Sequence, residues 1–165
     1  MDISFSVNNS KGDLVKIALS NYDLASLSQF TSNKHTLSLT FYDVTLIRES
    51  GYDYVGYDVL SKVSETLARF LQENHKAVLC FYCDAYTGIR KSHEEISPQE
   101  YRSLLFTRMF ERYCKTRDLN DFLNYRVRME VDKNLLNSQF AHFICRKEHE
   151  YLIDEIRDVL MTSDK

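Results

Sequence analysis

The stretch YDVLSKVSETLARFLQENHKAVLCFYC, Tyr57 to Cys83, changes its hydrophobic period midway, and that change decides the fold. Leu60, Val63, Leu67, Phe70 and Leu71 recur at helical spacing, with Lys62, Glu65, Arg69 and Glu73 off the stripe, so the spacing predicts an amphipathic helix over 57–74. Ala77 to Cys83 then runs apolar without alternation. Such a run belongs to a strand covered on both faces, which places it in the middle of a sheet.

Upstream, Ile3, Phe5 and Val7 alternate with serines, NNSKGD supplies turn residues, and Val15, Ile17 and Leu19 resume the alternation, which predicts a β-hairpin. A third strand is expected over Thr36–Ile47. Its apolar set shifts phase from Leu37, Leu39, Phe41 to Tyr42, Val44, Leu46, and the slip predicts a β-bulge near Phe41.

Downstream, SPQE at Ser97–Glu100 combines a Ser cap, Pro in the first turn and Glu three residues after the cap, so a helix is expected from there to Lys115. On it Tyr101, Leu105, Met109 and Tyr113 form a stripe, with Arg102, Phe106 and Phe110 in the adjoining row. Leu123 to Val131 alternates, and Gln139–Cys145 follows DKNLLN as its hairpin partner. Leu152, Ile156, Val159 and Leu160 predict a last helix over Glu148–Met161. The expected order is βββ-α-β-α-ββ-α: one α+β domain over 1–165, with a mixed, mostly antiparallel sheet of about six strands and three helices.

A chain of 165 residues with 13% aromatics, one Pro and four Gly can bury roughly 70% of its unfolded surface and needs no disulfide staples. No apolar run reaches the roughly 18 residues that span a bilayer, the start carries no export signal, and four cysteines are too scattered for a disulfide framework. The expectation is a cytoplasmic protein without membrane association. Net charge is −3, but Tyr101–Arg128 carries +4 and the remainder −7, an asymmetry that points to an anionic partner.

Cys80 and Cys83 form C-x-x-C, yet side chains three apart on a strand point to opposite faces, so no metal is expected there, and no cofactor motif occurs elsewhere. His142, within a strand, reads as a hydrogen-bonded core or surface histidine rather than a ligand. Asp84, at the end of the central strand, has two readings: a carboxylate with Arg90, His93 and Glu94 in a polar cluster, or the start of a turn closed by Gly88. Arg102, Arg108, Arg112, Arg126 and Arg128 are the remaining ligand-binding candidates, because arginines beside aromatics either pair within the fold or present a surface for phosphate.

A strand ending in Cys83-Asp84, a glycine four residues on at Gly88, and Arg108-Met109-Phe110-Glu111-Arg112-Tyr113 resemble a family of small uncharacterised Bacteroidetes proteins, a domain of unknown function. That family's pattern is a strand running into C-D-x-x-D-G, then a helix with R-x-F-x-x-W-F. The resemblance covers roughly the second half of the chain. Thr87 stands where the turn acid would be, Tyr113 where the Trp would be, and KSHEEISPQEY is inserted between turn and helix. That family carries no known activity, so the resemblance implies a related fold and little about function. The residues together set the expectation of a module that binds a protein partner or an anionic ligand. A nucleic-acid-binding protein or nuclease using 101–128 with Asp84 stands second, and a small-molecule enzyme at the Asp84–Arg90 loop third.

Overall fold

The computed structural model describes residues 2–8, 12, 14–21, 39–50, 57–83, 96–130, 133–134 and 138–151. In chain order these hold β1 (Ile3–Asn8), β2 (Leu14–Asn21), β3 (Thr40–Ser50), α1 (Tyr57–Glu73), β4 (Ala77–Cys83), α2 (Pro98–Thr116), β5 (Phe122–Met129), β6 (Gln139–Arg146) and a 3-10 turn over Lys147–His149. The strands form one sheet in the order β1-β2-β3-β4-β6-β5. Every neighbouring pair is antiparallel except β3 with β4, which α1 connects. This is an α+β fold with a mixed, mostly antiparallel sheet.

Among the described residues two α-helices, not three, have a full extent, and the 3-10 turn leads to Tyr151, the last described residue, which is helical. The expected helix over Glu148–Met161 is corrected at its start. Glu150 N donates to the Lys147 carbonyl at 3.0 Å, which tightens the chain into a single i to i+3 turn, and His149 Nε2 lies 2.8 Å from the His75 carbonyl, tying that turn to the α1–β4 connection. Residues 152–165 lie outside the described residues.

The strand expected to be covered on both faces is so covered. Leu79 and Phe81 of β4 join Val15, Ile17, Leu19, Val44, Phe140 and Ile144 on the face that meets the helices. Val63, Leu67 and Leu71 of α1 and Phe106 and Phe110 of α2 close that core, at about 1.5 to 3 kcal/mol for each large side chain taken fully out of water. Val78 and Cys80 point the other way, into a second buried cluster with Leu39, Phe41, Val127, Ala141, Phe143 and Cys145.

That second cluster also corrects the bulge expected near Phe41. β3 keeps an unbroken register with β4 from Thr40 to Val44 and with β2 from Tyr42 to Arg48. The phase shift exists because Leu39 and Phe41 fill the far cluster while Tyr42, Val44 and Leu46 meet the helix-side core. The register does shift at the other end of β3, between the Leu14–Ser50 and Val15–Arg48 pairs.

α2 begins as its sequence dictates: Ser97 caps it, its Oγ accepting from Glu100 N at 3.2 Å with Pro98 opening the helix. Beyond its cap at Arg117, Asp118 with a φ of 57° turns the chain left-handed while Leu119 N reaches back to the Cys114 carbonyl at 2.8 Å.

Candidate functional site

The residues of α2 that face the sheet are Gln99, Ser103, Phe106, Phe110 and Cys114, all buried, so the core stripe is rotated from the Tyr101–Tyr113 row. Met109 of that row packs instead on Leu60 of α1, with Tyr101 and Leu105 half-buried beside it. The rotation comes from the two polar members of the stripe, each of which is satisfied inside. Gln99 Nε2 donates to the Ser138 carbonyl at 3.0 Å, and Ser103 Oγ meets His142 Nε2 at 2.8 Å.

His142 stands on β6 between Phe140 and Ile144 and is fully buried, as is Ser103. Asn124, Arg126 and Arg128 lie on β5 at period two, so all three side chains leave the sheet on the face α2 covers. Asn124 Oδ1 can only accept, which fixes the proton of the imidazole on Nδ1, 2.9 Å away. Nε2 therefore accepts from the Ser103 hydroxyl, and Ser103 Oγ accepts in turn from Arg126 Nε at 2.6 Å.

The result is a one-way chain, Arg126 to Ser103 to His142 to Asn124, in which every donor polarises the next. Glu100 anchors its outer end, accepting from Arg128 Nη2 at 3.0 Å with Arg126 Nη2 at 3.8 Å. Both guanidinium groups lie over the Phe140 ring, at 4.3 Å for Arg126 and 5.4 Å for Arg128.

A nucleophile, a His and an Asp or Asn in one row is also what acyl-transfer enzymes use, with histidine as base for the hydroxyl or thiol. Here the electrostatics oppose that use. Burial, then the Arg126 charge beside it, lowers the His142 pKa from 6.5 to about 4, so the ring is neutral but a weak base. Phe81 and Phe106 close over the imidazole, with ring centroids 6.2 and 5.3 Å from it. The thiols are no better nucleophiles: burial pushes Cys114 up to about 11, Cys145 to about 12 and Cys80 higher still, with Asp43 adding to the last.

The remaining candidates separate in space. Arg108 and Arg112 are exposed, each about 200° around the helix from a buried phenylalanine two residues away, so they point outward from α2. Arg102 is half-buried on the same helix. Asp84, Arg90 and His93 lie outside the described residues, as does the Cys83 side chain, while Cys80 is buried in the far cluster. Among the described residues no group of three or more His, Cys, Asp or Glu could hold a metal ion, and no helix is long and apolar enough to cross a membrane.

The sequence reading named Arg126, Arg128 and His142 but missed Glu100, Ser103 and Asn124. The available signal was the period-two row Asn124, Arg126, Arg128 beside a strand, QFAHFIC, with His142 as its one interior polar residue. No family model, curated protein or solved structure matches this chain.

Proposed function

We propose that this chain is a binding module for a protein partner or an anionic ligand and that it does not act through the Ser103–His142–Asn124 row. The observation that supports the second half of this reading is the commitment of Arg126: its Nε serves Ser103, its Nη2 neighbours Glu100, and its guanidinium carbon lies over Phe140. Ser103 and His142 are fully buried, Phe81 and Phe106 close over the imidazole that would take the serine proton, and that imidazole is a weak base, so a substrate carbonyl meets no activated hydroxyl. The row instead keys α2 to one position over β5 and β6, because a shift of either would leave buried polar groups unpaired at about 1 to 3 kcal/mol each.

The test is covalent. A fluorophosphonate probe, with mass analysis of the intact protein and its peptides, should leave Ser103 unmodified, and the protein should not hydrolyse short-chain p-nitrophenyl esters above background. Stoichiometric labelling that disappears in Ser103→Ala would replace this reading with a hydrolase.

A second reading, nucleic-acid binding, draws support from the outward placement of Arg108 and Arg112, one helical turn apart, with Lys115 exposed a residue short of the next turn. It ranks behind because Arg126 and Arg128 face Glu100 rather than joining them.

A further inference from the structure

The two edges of the sheet are built differently. β5 carries Arg126 and Arg128 turned inward onto Glu100, a charged device that guards an edge against further pairing. β1 reads ISFSVN, with no charge of its own, no proline and no bulge in its pairing with β2, and Lys62 of α1 meets it at its last residue, donating to the Asn8 carbonyl. Among the described residues no strand pairs with its outer side.

Beside that edge lies a groove of about 260 Å³ between β1 and α1, lined by Phe5, Ser6, Thr66, Arg69, Phe70 and Glu73. Its apolar part is aromatic, Phe5 standing edge-on to Phe70 at 6.2 Å. Its charge is lopsided. Arg69 is turned back along the helix onto Glu65 at 2.8 Å, whereas Glu73 is exposed and makes no ion pair among the described residues. The last turn of α1 carries no basic residue, so the partial negative charge of the helix end adds to that carboxylate.

We propose that the outer edge of β1 receives an extended segment of a protein partner, and that this segment places a lysine or arginine in the groove. The inference rests on the binding reading above and names the partner's chemistry. Backbone pairing along β1 supplies affinity without regard to sequence, and the groove supplies selectivity. The aliphatic stem of the basic side chain lies along the Phe5 and Phe70 rings while its charge reaches Glu73 and the helix end.

The experiment uses three acetylated, amidated peptides, TVTKTVT, TVTLTVT and TVTETVT, titrated into ¹⁵N-labelled full-length protein and followed by amide shifts. The lysine peptide should bind more tightly than the glutamate peptide by about tenfold or more. Its shifts should centre on Ile3–Asn8 and on Thr66 to Glu73. Glu73→Lys, at an exposed position, should reverse the order of lysine and glutamate, and methylating alternate backbone nitrogens on one edge of the lysine peptide should abolish binding. Equal affinity for the lysine and glutamate peptides, shifts that avoid β1, or no binding at millimolar peptide overturns the proposal. Failure here with Ser103 still unlabelled removes only the β1 site, whereas labelled Ser103 removes the binding reading itself.

Discussion

Replacing His142 by Gln should remove most of the acid sensitivity that the buried network imposes on this fold. Unfolded, the imidazole titrates near 6.5, and folded it titrates near 4, because protonation would place a cation among Ser103, Phe81 and Phe106 beside Arg126. The folded pKa lies below the unfolded one, so above about pH 6.5 both states are neutral and the full stability is present. As pH falls, the unfolded chain takes up a proton that the folded chain refuses, and stability drops until about pH 4. At about 1.4 kcal/mol per pKa unit, the loss from this one residue is about 2 kcal/mol between pH 7 and pH 5 and about 3 kcal/mol by pH 4. Gln presents an oxygen to Ser103 and an amide proton to Asn124 but does not titrate in this range. The variant should start about 1 to 3 kcal/mol less stable at pH 7, through lost ring packing and imperfect hydrogen bonds. Urea unfolding of both proteins at several pH values and constant ionic strength measures the difference of slopes, in which carboxylates and the other histidines cancel. Parallel loss of stability in the two proteins would refute the buried, neutral imidazole.

Three further outcomes follow from the same geometry. Arg126→Ala takes away the positive neighbour of His142, so the imidazole pKa, followed by its ring proton shifts, should rise towards its ordinary value. The same change should also lower stability by about 1 to 3 kcal/mol, since Ser103 Oγ loses its charged donor. Asp118→Gly relieves a left-handed residue at the end of α2 and should raise thermal stability by about 0.5 to 1 kcal/mol, whereas Asp118→Val at the same position should lower it. Phe106→Ala opens a cavity between Phe81, Phe110 and His142 and should cost about 3 to 5 kcal/mol by denaturant titration.

What the sequence disclosed and what it concealed have physical causes. Periodicity is readable where one face is apolar and the other is wet, as in α1, or where both faces are apolar, as in Ala77–Cys83. It misleads where the two conditions change along one strand: Leu39 and Phe41 of the far cluster precede Tyr42, Val44 and Leu46 of the helix-side core, and the sum imitates a slipped register. Capping chemistry is local, so SPQE announced the start of α2 correctly. The face α2 buries is not local. Gln99 and Ser103 sit in its core stripe only because Ser138 and His142, 39 residues further along the chain in each case, offer them partners. For the same reason the sequence leaves Arg126 and Arg128 between internal ion pairs and a basic surface: that their strand face meets a helix bearing Glu100, with Arg128 still exposed, depends on the pairing of β5 with β6, not on any residue nearby in sequence.

Arg126, half-buried, and Arg128, exposed, both face Glu100 and the Phe140 ring, and on that pairing they are expected to add nothing to a phosphate-binding surface. Fluorescence anisotropy with labelled single- and double-stranded oligonucleotides, at low and near-physiological salt, tests it directly. The expected result is no binding tighter than about 10 μM near physiological salt, with any weak low-salt binding lost in Arg108→Ala, Arg112→Ala and unchanged in Arg128→Ala. Tight binding with a log-log salt slope of roughly −3 or steeper, abolished in the Arg126→Ala, Arg128→Ala double variant, would contradict it.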